Sequence, residues 1–319
     1  MRALAIAAVV ILTCFVSVTW SAHHPATNDR AFDALYRHLE PAPLVKASGE
    51  HAGEGHADDH AVEPLLEIPL PASLAVFDWN QDAADGAAIV FTNLQLFQIA
   101  SVLVVLLAFS GVPRYLRTGK GDAVTRLMAG FCLWVRDEMV VPVMGKELGH
   151  RFLPFFLSIF FFILFMNLMG LVPGAATPTA SIFVTAALAL ITLLSMIGCG
   201  MVAQGPLAFW RNLVPHVPWW LWPLMFLVEL LGLFVKPFAL MIRLFANMTG
   251  GHLVVLSFVG LIFFFAGTEF SAAGYGIAPV AVAFAVFIMI IEAFVALLQA
   301  YIFAQLSIIF VGASIHPEH

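Results

Sequence analysis

Two apolar stretches near the C-terminus are too long to be ordinary membrane spans. They cover 221–265 and 279–311, about 45 and about 33 residues where a perpendicular helix needs about 20. As helices they would be roughly 67 and 50 Å long, against a hydrocarbon layer about 30 Å thick. Each must therefore break into pieces or lie steeply tilted. In the first, Pro237 and the pair Gly250–Gly251 offer places to bend. The second has no Pro or Gly between Pro279 and Gly312, so an unbroken tilted helix is the simpler expectation there. Three shorter stretches, 89–112, 152–172 and 179–203, each suit a single span. The chain thus reads as an all-α integral membrane protein with about five membrane helices, the last two forming a long, steeply tilted hairpin.

Composition agrees. Apolar residues make up 61% of the 319 and charged residues 11%, against about 45–50% and about 25% in soluble globular proteins. Cys14, Cys132 and Cys199 form neither a disulfide framework nor a zinc spacing. The net charge of −6 leaves no basic footprint for nucleic acid. Gly198-Cys199-Gly200-Met201-Val202-Ala203 matches a dinucleotide-binding pattern in letters only, since it ends a membrane span with no strand before it. There is no phosphate-binding G-x-x-x-x-G-K-[ST] sequence, so no nucleotide site is expected, and no cofactor.

The charges divide the chain. Residues 1–88 hold 12 acidic and four basic residues. Residues 1–22 read as a secretory signal peptide or an uncleaved anchor: Arg2, the apolar stretch Ala3–Val18, then Thr19, Ser21 and Ala22. Residues 23–88 follow as an acidic, His-containing tail outside the cytoplasm. Within it His51, His56 and His60 stand among acids, but nothing fixes their geometry, so a solvated linker is expected rather than a metal site. Residues 89–315 form the membrane domain.

Seven Lys and Arg crowd 111–151, which places that segment in the cytoplasm by the positive-inside rule. The turn 172–178 and the loop 266–278 contain none and belong outside; Arg211 places 204–220 inside, and the C-terminus falls in the cytoplasm. Segment 122–140 mixes charges with Leu, Phe and Trp at helical spacing and reads as an amphipathic helix on the inner surface.

Four charges stand where they are costly. Glu229, Lys236, Arg243 and Glu292 lie inside the last two apolar stretches, each costing about 2.5–3.5 kcal/mol at mid-membrane if unpaired. At 100° per residue Glu229, Gly232, Lys236, Ala239, Arg243, Ala246, Asn247 and Gly250 share one helix face, opposite Phe234, Phe238, Met241, Phe245 and Met248. Small residues beside Arg243 let another helix approach closely, and an arginine stays protonated even when desolvated. His252 looks away from Arg243, toward a different neighbour. The final helix, where Glu292 and Gln299 share a face, is the natural candidate, and a His–carboxylate pair suits a proton relay. The plainer readings are snorkelling or a pairing with Glu229 for Arg243, snorkelling for Lys236, an interior histidine for His252, and helix–helix contacts for Asn247 and Gln299.

The run LVELLGLFVKPFALMIRLFANMTGGHLVV (227–255) closely resembles the subunit a family of F-type ATP synthases, the membrane stators of rotary motors. The strongest element is Arg243-Leu244-Phe245-Ala246-Asn247-Met248 followed by Gly250-Gly251-His252. Asn167 within 152–174 and the segment 291–303 resemble two other family helices. The resemblance implies a non-catalytic, proton-conducting subunit of a bacterial-type inner membrane, coupling proton flow to rotation and so to ATP synthesis. It implies Arg243 facing the carboxylates of a c-ring of proteolipid subunits, with peripheral-stalk b subunits as further partners. It assigns Asn247, His252, Glu292 and Gln299 to the outer half-channel and Glu229 to the inner one. Many bacterial members carry an acid where His252 stands and a His where Glu292 stands; the exchanged pair is the mitochondrial arrangement. Two other classes carry different signatures. An independent channel or secondary transporter usually shows an internal repeat, and none is visible. An assembly factor would tolerate changes along the polar stripe.

Overall fold

A computed structural model of the chain describes residues 2–20, 67–69, 88–90, 92–172, 175, 177–214, 217–266 and 271–315. The tail histidines 51, 56 and 60 and positions 21–22 of the leader lie outside the described residues.

Apolar sequence becomes helix almost throughout. The first helix, α1 (Arg2–Trp20), carries Ile6, Val9, Val10 and Cys14 onto Leu94, Phe97, Ala100 and Val104 of α2 (Asn93–Phe109). Thr92 and Gln95 close a capping box at the start of α2. Two three-residue strands, β1 (Glu67–Pro69) and β2 (Ala88–Val90), pair antiparallel. After α2 comes the short α3 (Val112–Thr118), stopped by Gly119 at φ 67°.

The amphipathic segment forms α4 (Ala123–Trp134), which passes without a loop into a wide π turn (Val135–Val140). Arg136 and Asp137 pair on its exposed side, while Val135, Met139 and Val140 are fully buried. The next helix, α5 (Val141–Gly170), begins ahead of the apolar stretch from 152, and the chain bends at Gly145, whose φ of 75° favours glycine. An aromatic cluster joins these parts: Trp134 packs on Phe160 and Tyr301, and Phe161 on Phe109 and Phe131. A 3₁₀ turn (Pro178–Ala180) leads into α6 (Ile182–Gln204), followed by α7 (Pro206–Asn212).

The last two helices are α8 (Trp222–Ala266) and α9 (Ser271–Ile315), 45 residues each and unbroken. Pro237 and Gly250–Gly251 do not interrupt α8. Helix α9 begins eight residues before Pro279, so most of the loop expected over 266–278 is helical. A proline inside a helix gives up one backbone bond, and long flanking helix absorbs that loss. Pairs along the hairpin fix its sense. Phe258 stacks on Phe284, His252 meets Glu292, Asn247 meets Gln299 and Lys236 lies over Phe310. Numbers rising on one helix and falling on the other make an antiparallel pair. Among the described residues five helical segments are long and apolar enough to cross a membrane, as the hydropathy pattern predicts.

The packed side of α8 is a strip of its own beside the polar stripe. Leu233, Leu240, Leu244 and Met248 are buried, whereas Phe234 and Phe238 are more than half exposed. The buried strip thus lies about a quarter turn from Arg243, between it and His252. Periodicity locates the apolar sectors of such a helix but not which sector meets protein and which meets lipid.

Candidate functional site

The polar groups of the hairpin fall into two clusters with a lone arginine between them. In the first, His252 Nε2 stands 3.7 Å from Glu292 Oε1. Exposure falls along this cluster: 15% for the His252 side chain, 4% for that of Glu292 and 2% for Gln299. Asn247 Nδ2 donates to Gln299 Oε1 at 2.8 Å. Glu292 Oε1 and Gln299 Nε2 are buried with no hydrogen-bond partner among the described residues.

The turn between α5 and α6 supplies residues that sequence reading did not single out. Thr177 hydrogen-bonds through its hydroxyl to His252 Nε2. Thr179 donates to Asn167 Oδ1 at 2.6 Å, and Asn167 Nδ2 reaches the Ala296 carbonyl at 3.5 Å. These hydroxyls come from a segment with no helical period, so spacing could not align them with a site on α8. The only sequence signal was Thr-Pro-Thr itself, in an otherwise apolar turn.

The second cluster lines a cavity of about 550 Å³ near the start of α8 and the end of α9. Glu229, Lys236, Gln204, Asn212 and Ser314 supply its polar walls. Gln204 ties them together: its Nε2 donates to the Ser314 carbonyl at 2.7 Å and its Oε1 accepts from Asn212 Nδ2 at 3.1 Å. Lys236 holds its ammonium 5.8 Å from the Phe310 ring centre, within cation–π range.

Arg243 belongs to neither cluster. It is exposed, and no hydrogen bond or ion pair to it is recorded among the described residues. Along α8 it stands about 21 Å from Glu229 and about 14 Å from His252 by helical rise. Ala239 and Ala246 beside it are exposed as well, leaving a shallow face open around the guanidinium. No group of three or more His, Cys, Asp or Glu able to hold a metal occurs among the described residues.

Five membrane-competent helices among the described residues, with ionisable side chains on the longest pair, define a multi-pass all-α membrane protein. The model of the family described as ATP synthase A chain matches residues 95–312. A relative named ATP synthase subunit a from Myxococcus xanthus (strain DK1622) is 48% identical over 152 residues, 48% of this chain and 48% of that protein. Another of that name from Anaeromyxobacter sp. (strain Fw109-5) is 40% identical over 217 residues, 67% of this chain and 50% of that protein. ATP synthase subunit a 2 from Chlorobium luteolum (strain DSM 273 / BCRC 81028 / 2530) is 34% identical over 278 residues, 81% and 78% of the two chains. The matched segments span about half the length of the Myxococcus and Anaeromyxobacter relatives. The chain belongs to the ATP synthase A chain family.

Proposed function

We propose that this chain is the proton-conducting stator subunit of an F-type ATP synthase membrane sector. One observation carries the reading: two separate polar clusters lie along one hairpin, and between them stands an exposed arginine without a partner among the described residues. The cluster of His252, Glu292, Asn247 and Gln299 serves as the half-channel open to the outside. The cavity beside Glu229 serves as the half-channel open to the cytoplasm. This orientation, with tail outside and C-terminus inside, follows the distribution of Lys and Arg.

The mechanism is electrostatic. A proton entering by His252 and Glu292 neutralises a carboxylate on a neighbouring c-ring of proteolipid subunits. Neutral, that carboxylate turns into lipid at low cost; ionised, it could not. After rotation it meets the aqueous cavity near Glu229, releases its proton and is drawn to Arg243. The guanidinium, which does not deprotonate, blocks direct proton flow between the clusters. Each proton delivers about 2.3 kcal/mol per 100 mV of potential, and nucleotide chemistry is left to other subunits. Peripheral-stalk b subunits hold the chain against the torque.

Arg243→Ala is the test. In inverted membrane vesicles it should abolish ATP-driven proton pumping while the complex still assembles. Pumping at the unsubstituted rate would remove the stator reading.

A further inference from the structure

We propose that Thr177 is a positioning residue of the outer proton path, its hydroxyl holding the His252 imidazole toward Glu292. The inference rests on reading His252 as a proton-carrying group of the outer half-channel.

Three observations place the hydroxyl. First, the 3₁₀ turn sets the backbone of Thr177: its carbonyl accepts from Ala180 N at 3.0 Å, and Pro178 follows it. Second, Gly170 makes room. A Cβ at Gly170 would collide with Oγ1, Cβ and Cγ2 of Thr177, so the threonine is seated where a side chain on α5 is missing. Third, Thr177 is only 7% exposed, and its Oγ1 is bonded to Nε2 of His252, the same ring nitrogen that faces Glu292 Oε1.

An imidazole on a helix can swing about two side-chain torsions. A hydrogen bond to a ring nitrogen limits that swing, and here it keeps Nε2 on the side of the ring that meets Glu292. Among the described residues no other hydrogen bond to His252 offers that restraint. The elements packed on α8 are α9, α6 and the 178–180 turn. Glu292 is the only acidic or basic residue of α9, and residues 182–204 and 178–180 contain none. On α8 itself the charged residues are Glu229, Lys236 and Arg243, all more than two turns away. The ring is therefore held between one carboxylate and one hydroxyl, and only the hydroxyl comes from a fixed turn.

The test compares Thr177→Val, which keeps the shape, with Thr177→Ser, which keeps the hydroxyl. Both are measured in the whole ATP synthase in inverted vesicles, with pumping normalised to assembled complex. Thr177→Val should pump about threefold to tenfold more slowly, the worth of one hydrogen bond, and Thr177→Ser should stay near the unsubstituted rate. Carbethoxylation of His252, followed on its peptide by mass spectrometry, should rise severalfold in the Val variant and not in the Ser variant. A Val variant equal to the parent in both measurements, or a Ser variant that loses as much as Val, overturns the proposal. If the Val complex does not assemble, Thr177→Ala takes its place under the same criteria. Failure of the parent reading looks different: His252→Ala would then pump normally, whatever the carbethoxylation of the Thr177 variants shows.

Discussion

Gly251 and Glu292 occupy neighbouring space so closely that only a hydrogen fits between them. A Cβ on Gly251 would stand 2.5 Å from Glu292 Oε1, 2.7 Å from its Cδ and 3.1 Å from its Cγ. The carboxylate of α9 therefore reaches His252 across the backbone of α8, through a notch left by a missing side chain. Close helix approach at small residues is a general device of membrane proteins; here it brings a titratable group to its partner.

Gly251→Ala should therefore displace Glu292 without unfolding the hairpin. Misplacing a reacting group by about 1 Å can cost about 100-fold in rate, so ATP-driven pumping should fall by about tenfold or more. Glu292→Asp, shorter by one methylene, should restore part of the loss when combined with Gly251→Ala, although alone it should be harmful. Pumping by the double variant no better than by either single one would show that the notch does not set the carboxylate's position.

The bond between Asn247 and Gln299 makes a different prediction, about stability. It crosses the hairpin at 2.8 Å from a partly exposed amide to a buried one. Hydrogen bonds between membrane helices couple by about 0.6 kcal/mol on average and about 1.7 at most. A double-mutant cycle with Asn247→Ala and Gln299→Leu, read by detergent denaturation of the purified complex, should give a coupling in that range. A coupling of zero would mean that the two side chains act separately.

Much of this architecture can be read from hydropathy and charge. Long apolar runs become long helices, and the charges set in apolar sequence, Glu229, Arg243 and Glu292, all lie on the last two. Helix α9 shows where that reading stops. Pro279 looks like a helix start because proline suits a first turn, yet Ser271–Pro279 is already helical. The sector of α8 carrying Phe234 and Phe238 is apolar yet more than half exposed, because in lipid an exposed phenylalanine costs nothing. The π turn after Trp134 carries the fully buried Val135, Met139 and Val140, a placement that no local pattern encodes. Thr177 and Thr179 were invisible for a related reason: their partners lie on α8 and α5, and only the fold brings a turn to them.

The cavity beside Glu229 carries the last prediction, because it also tests orientation. At about 550 Å³ it far exceeds the roughly 10–15 Å³ that one water requires, and Gln204, Asn212, Glu229, Lys236 and Ser314 give water polar partners. Cys14, Cys132 and Cys199 are free thiols and would first be replaced by alanine or serine. A single cysteine at Glu229, Asn212 or Ser314 should then react with a membrane-impermeant thiol reagent applied to the cytoplasmic face, and far more slowly from the other. A cysteine at His252 should show the opposite preference, being reached from outside past Thr177. Reaction of both sets from one face would place the two clusters in a single aqueous path. Arg243 would then separate nothing, and proton flow could not be forced through the rotor.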